Sequence, residues 1–147
     1  MPAPFPHQYE VDLEWQTARR GRLTAPSKPA ILGGPPPEFD GSAETWSPEH
    51  LLLSALNLCQ MTTFLALAAK ARLGFQAYRS RAQGRLEKTD AGIVFTAITL
   101  RIEVKVAEAD RARAEQLLHT AHKHCIVSNS LKPAVALEIT VAHGNPD

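Results

Sequence analysis

Cys59 and Cys125 are the residues of this 147-residue chain whose type best suits redox chemistry. The thiolate is the reactive form, so a nucleophilic cysteine needs surroundings that lower its pKa. Cys59 falls in the middle of an apolar, helix-forming run, far from the N-terminal end of any helix dipole. A cation beside it would be needed. Arginine suits that role because it keeps its charge when desolvated and holds a fixed geometry. Arg19, Arg20 and Arg22 supply three candidates. Sixty-six residues separate the two thiols, so only packing can join them. If it does, Cys59 can attack a peroxide oxygen, become a sulfenic acid and condense with Cys125 to a disulfide, the reversible part of the oxidation ladder. The alternative is two unrelated buried thiols, since free cysteine often acts as a small core hydrophobe. No CxxC is present, which excludes a thioredoxin-like dithiol by spacing.

A second cluster is His119, His122, His124 and Cys125. His119 and His122 lie three apart on one helical face, a spacing that metal ligands use. Histidines at a helix end also simply complement the C-terminal dipole. No carboxylate or further cysteine is near enough in sequence to complete a site, so no metal is expected. There is no Gly-rich phosphate loop, no HExxH and no defensible Ser–His–Asp order.

The element that must position Cys59 is the stretch from Ser47 to Gly74. Ser47 is a natural N-cap, Pro48 fits the first helical position, and Glu49 sits at the positive end of the dipole. Gly74, after Lys70 and Arg72, is the expected stop. Such a helix has about 26 residues and a length of about 39 Å. Leu51 to Ala69 carries no charge and has apolar residues on every face, so burial all round is expected. The run reaches the length of a membrane span, but Ser54, Asn57, Gln60, Thr62 and Thr63 argue against one. A domain of this size is about 40 Å across, so the helix crosses all of it. Covering it on every side calls for a second subunit.

Length points to one domain over 1–147, with 1–7 as a loose Pro-rich arm. The formal net charge is +1, with no nucleic-acid footprint. No secretory signal opens the chain, which makes a cytoplasmic location the default expectation. Tyr9, Val11, Leu13 and Trp15 alternate with acidic and polar residues as in a half-buried strand. Gly21 is expected where the basic segment 18–22 reverses. Short strands over 23–25 and 30–32 complete a meander before the breaker Gly33-Gly34-Pro35-Pro36-Pro37. After the helix, Tyr78 to Glu87 and Val94 to Val106 read as strands of a hairpin turning at 89–92. A helix over 109–124 follows, with Ala112, Leu117, Leu118, Ala121 and Cys125 as its apolar stripe. A turn at 126–130 leads to a final strand over 135–141. The class is α+β, with helices on one face of a mostly antiparallel sheet.

Two segments together resemble the OsmC/Ohr family. Ser47-Pro48-Glu49-His50-Leu51-Leu52-Leu53, continued by Ala55-Leu56-Asn57-Leu58-Cys59, is similar to its (S/N)PE(E/H)LL…A…C pattern. Cys125-Ile126-Val127-Ser128-Asn129 is similar to its C-x-(V/I)-S-(N/R) pattern. The likeness extends from about Tyr9 to Val141. It implies an intertwined homodimer with the long helices central, and a cofactor-free peroxidase for organic hydroperoxides that is reduced by a dithiol such as a lipoyl group. It further implies Cys59 as the peroxidatic cysteine, Cys125 as the resolving one, and an arginine and a glutamate holding the thiolate. Glu49 matches the glutamate. Arg19 matches the arginine when Arg19-Arg20-Gly21-Arg22 is set against the Arg-x-Gly-Arg turn of the hydroperoxide-resistance branch. In the osmotically induced branch the arginine precedes an aromatic residue; here Glu38 stands there, before Phe39. Ile126 replaces a frequent proline, and Gln60 follows Cys59 where an aromatic or other residue is common. Phe39, Trp46 and Phe64 are candidate walls of an apolar pocket. Glu49 lies about 15 Å along the helix from Cys59, so it is expected to serve the partner chain's site. The other reading is a non-catalytic protein of this fold that holds an apolar ligand between subunits.

Overall fold

The computed structural model describes residues 3–143. Contacts divide the chain into two compact units, residues 1–51 and 52–147. Of the expected arm, residues 1 and 2 lie outside the described residues, and residues 3–7 form no regular element.

The first unit is an antiparallel meander of β1 (Asp12–Thr17), β2 (Arg20–Thr24) and β3 (Ile31–Gly33). The chain reverses at Ala18 and Arg19, with Ala18 at a left-handed φ of 48°. Gly21 is therefore not the turn residue expected. It sits within β2 opposite Trp15, where a β-carbon would fall 2.7 Å from the Leu13 side chain. The breaker segment ends β3 and leads through a 3₁₀ turn, Pro37–Phe39, into a loop. Gly34 and Trp46 close that loop by backbone bonds, Gly34 N to Trp46 O at 2.9 Å and Trp46 N to Leu32 O at 3.2 Å. Gly41 packs against the backbone of Pro35 so tightly that a β-carbon would lie 1.6 Å from its carbonyl oxygen. The first strand begins only at Asp12, so Tyr9 and Val11 of the expected strand precede it, and the apolar side of the alternation is uncovered. Tyr9, Val11, Leu13 and Trp15 are between 67% and 88% exposed, not half-buried.

Helix α1 spans Pro48–Lys70. Ser47 caps it as expected: its Oγ accepts the His50 amide at 3.1 Å and lies 2.6 Å from His50 Nδ1. Its end differs from expectation. Leu73 N bonds to Ala68 O and Arg72 N to Ala69 O, the two bonds of a Schellman motif, with Arg72 at φ 53° in the position glycine favours. Gly74 lies two residues too late. Burial all round is also not observed. One i, i+4 stripe, Leu56, Gln60, Phe64 and Ala68, is buried, while Leu52 and Leu58 are exposed. By length and apolarity α1 could cross a membrane. Its stripe packs instead on protein, and Asn57 and Gln60 hydrogen-bond to protein groups.

In the second unit, β4 (Ala77–Thr89) and β5 (Gly92–Val106) form the hairpin, and β6 (Val135–His143) joins β5 in parallel. A parallel pair needs a crossover. Here it is α2 (Arg111–His124) followed by α3 (Ile126–Ser130), a single helical turn where a plain turn was expected. Ile98, Leu100, Ile102, Val104 and Val106 of the central strand β5 are at most 2% exposed. Slipping that strand by one residue would turn all five outward, at about 1.5–3 kcal/mol each, so the register is fixed. Against them pack Phe64 and Ala68 of α1 and Leu118 and Ala121 of α2. The stripe of α2 is Ala114, Leu118, Ala121 and then Cys125; Ala112 is exposed and Leu117 only half-buried. This is the expected α+β architecture.

The non-glycine helix end gives a stability prediction. A left-handed L-residue costs about 1–2 kcal/mol that glycine does not incur. Arg72→Gly should raise the denaturant midpoint by an amount equivalent to about 1 kcal/mol without changing the slope. A lowered midpoint would show that the Arg72 side chain contributes more than its backbone strain costs.

Candidate functional site: two thiols at a helix break

The chain leaves α2 at Cys125, whose φ of −68° and ψ of 111° are extended, and re-enters helix at Ile126. At this break the Cys125 thiol is fully buried, and the amides of Ile126 and Val127 reach Cys59. Cys59, half-buried on α1, packs on a small cluster formed by Leu56, Ile98 and Cys125, with Val127, Leu131 and Val135 around it. The second unit thus brings the two cysteines together.

Burial pushes the Cys59 thiol up. The amide of Val127, the Cys125 thiol and the amide of Ile126 outweigh it and hold Cys59 below its ordinary value. The Thr63 hydroxyl lies nearby and donates to the Cys59 carbonyl oxygen at 2.8 Å. Burial pushes Cys125 up, against the amide of Ser128, and giving its proton to Cys59 adds to the rise. One thiol is therefore poised to ionise and its neighbour to stay protonated. The sequence offers cations for this role in Arg19, Arg20 and Arg22. Within the second unit, backbone dipoles and a thiol proton already lower the pKa. The segment that supplies them, Ile126-Val127-Ser128-Asn129-Ser130, is expected from sequence as a plain turn and forms a short helix.

Next to this pair, burial pushes the Tyr78 phenol up to about 12, against the Ser80 side chain. His122 is pushed below its ordinary value by burial and by the charge of His119, against the Val135 backbone. His119 and His124 are exposed. Among the described residues no group of three or more His, Cys, Asp or Glu side chains is arranged to hold a metal ion.

The remaining candidates behave differently. Phe64 is fully buried in the core of the second unit, tilted against Phe75 and Tyr78 at centroid distances of 5.8 and 5.6 Å. It is a core side chain and not the pocket wall expected, because the i, i+4 stripe of α1 turns it onto the sheet. Phe39 and Trp46 do line a cavity, of about 770 Å³, within the first unit. Leu13, Trp15, Leu23 and Leu51 supply the rest of its apolar wall, and Arg19, Arg20 and Glu49 its polar groups. Arg19 Nη1 donates to the Phe39 carbonyl at 2.7 Å. Arg20 lies 3.8 Å from the exposed Glu44 carboxylate. Glu49 Oε2 is buried without a hydrogen-bond partner, and among the described residues no ion pair joins it to Arg19. Arg22 is exposed on β2.

Comparison with known proteins agrees with this fold. The family model described as "OsmC-like protein" matches residues 41–140. The Escherichia coli K12 protein named peroxiredoxin OsmC is 27% identical over 124 residues, covering 82% of this chain and 86% of its own length. Among solved structures, an OsmC-like protein of unknown function from Vibrio cholerae superposes with a TM-score of 0.83 at 24% identity. That match covers 92% of this chain and all of the other. An organic hydroperoxide resistance protein from Legionella pneumophila shares the fold with a TM-score of 0.69 at 18% identity, covering 93% of this chain and 99% of its own. With a matching family model across most of its length and a shared fold, this chain belongs to the OsmC-like protein family.

Proposed function

We propose that the protein is a homodimeric, cytoplasmic thiol peroxidase for organic hydroperoxides, acting as a single functional domain without a cofactor. The observation that carries this reading is the Cys59–Cys125 pair, in which the first thiol is held low by the amides and the proton of its surroundings while the second stays protonated. The Cys59 thiolate attacks the terminal oxygen of ROOH. An S–O bond forms, the O–O bond breaks, and the alkoxide leaves as the alcohol after taking a proton from water. Cys125 then attacks the Cys59 sulfenic acid. An S–S bond forms, the S–O bond breaks, and hydroxide leaves as water with the Cys125 proton. The peroxide gains two electrons and the two thiols lose them. A dithiol of lipoyl type returns the disulfide to two thiols.

Relatives named peroxiredoxin OsmC and organic hydroperoxide resistance protein support the reaction class. Arg19 and Glu49 take the roles that the family resemblance implies: the guanidinium lowers the thiol pKa and aligns the peroxide, and Glu49 orients the guanidinium. The uncovered apolar side of the first strand, with the uncovered faces of α1, supports the dimer. The second reading is an apolar-ligand carrier. It is favoured by the first unit's cavity, which is large enough for a small organic molecule.

Three measurements test these readings. Reduced protein mixed with cumene hydroperoxide should form a Cys59–Cys125 disulfide faster than with hydrogen peroxide. Cys59→Ser should abolish the reaction, and Cys125→Ser should accumulate the sulfenic acid. Slow oxidation of both thiols without selectivity would leave the carrier reading. Alkylation by iodoacetamide should reach Cys59 first. Because Cys59 is held below its ordinary value while Cys125 is pushed above it, the Cys59 thiolate persists, and its rate holds, to lower pH than that of Cys125. Cys125→Ala removes the thiol donor and should move that profile to higher pH; an unmoved profile would sink the donor role of Cys125. Light scattering should give twice the chain mass, and a monomer at micromolar concentration would remove the dimer.

A further inference from the structure

Gln60 follows Cys59 on α1 and is fully buried. Its Nε2 donates to the carbonyl oxygen of Leu118 on α2 at 3.1 Å. That carbonyl lies inside α2, where it already accepts the amide four residues on. Gln60 Oε1 is buried and has no hydrogen-bond partner among the described residues. The side chain thus gives up its hydration for one bond to an acceptor already satisfied, and it leaves its own acceptor orphaned. A methionine of similar size would fill the same space without either penalty. Stability does not account for a glutamine here.

Its location does. Leu118 lies seven residues, or about two turns, before Cys125 on the same buried stripe of α2. Gln60 therefore links the residue next to one thiol to the helix that carries the other. Apolar packing between α1 and α2 is non-directional and resists separation better than sliding. A hydrogen bond across the helices has a preferred direction and opposes the slide. Resting on the reading that Cys125 resolves Cys59, we infer that Gln60 is a positioning residue for disulfide formation. Its bond to Leu118 fixes the axial register of α2 on α1, and so sets the line along which the Cys125 sulfur approaches the Cys59 sulfenic acid. The attack on peroxide needs Cys59, its immediate donors and the arginine and glutamate assigned above, so Gln60 acts on the second step alone.

The experiment compares full-length wild type, Gln60→Met and Gln60→Glu by quenched flow with cumene hydroperoxide. Sulfenic acid is trapped with dimedone, and disulfide is counted by mass spectrometry. Gln60→Met should melt at or above the wild-type temperature and form the sulfenic acid within about twofold of the wild-type rate. It should close the disulfide about tenfold more slowly, as expected for a small misplacement of reacting atoms. Gln60→Glu can donate to Leu118 only while its carboxyl is protonated. Its closure rate relative to wild type should approach one at acidic pH and fall as pH rises, whereas the Gln60→Met ratio stays flat. A folded Gln60→Met that closes the disulfide at the wild-type rate overturns the inference. So does a Gln60→Met that melts well below wild type, which would make Gln60 a structural residue. Wild type that forms neither sulfenic acid nor disulfide removes the peroxidase reading itself, a separate result visible before any variant is compared.

Discussion

The site depends on one backbone constraint, the interruption of helix at Cys125. Had α2 continued through residue 125, the amides of Ile126 and Val127 would be spent on helical bonds to residues 122 and 123. Because Cys125 is extended, those amides are free, and they face the Cys59 sulfur. The same interruption seats the Cys125 sulfur in the small cluster with Leu56 and Ile98. A single non-helical residue thus supplies the polarity that favours the Cys59 thiolate, and it also delivers the neighbouring thiol.

The core exists to hold that break in place. The buried side of β5 supports both helices, and Ile98, at its near end, touches the thiol cluster directly. Lower along the sheet, Leu100 to Val106 meet Phe64 and Ala68 of α1 and Leu118 and Ala121 of α2. The outer face is polar, with Arg101 paired to Glu138 at 2.5 Å across β5 and β6. These exposed charges add little stability, since surface pairs contribute about 0–1 kcal/mol. What fixes the placement of the thiols is the apolar register beneath.

Much of this was legible in the residues. The alternation of Ile98 to Val106 has a period of two, and Ser47-Pro48-Glu49 carries the chemistry of a helix start, so both elements could be read directly. The end of α1 could not, because Arg72 takes a conformation that its type disfavours and only the Schellman bonds reveal it. The burial of α1 was overestimated because its residues are apolar on every face, whereas the elements present in one chain cover a single stripe. From sequence Gln60 is only a departure from the family pattern, since nothing in sequence shows that its amide meets Leu118. The two cysteines were the natural candidates from their type. Their adjacency depends on packing between segments sixty-six residues apart, which no local pattern encodes. Phe64 was misplaced for the same reason: an aromatic residue on an apolar helix looks the same whether it faces a pocket or a sheet.

The parallel pairing of β6 with β5 has a consequence for how the chain reaches this arrangement. The pair joins Ile98 to Val135 and encloses the whole α2–α3 crossover. Non-local pairing of this kind must meet the loop-closure entropy before any contact rewards it. The hairpin of β4 and β5 is local and can form early. Cys125 is locked into place only once the last described strand has docked. During synthesis Cys59 emerges sixty-six residues before Cys125. The two thiols therefore become neighbours only when the sheet is complete, and their adjacency arrives together with the finished fold.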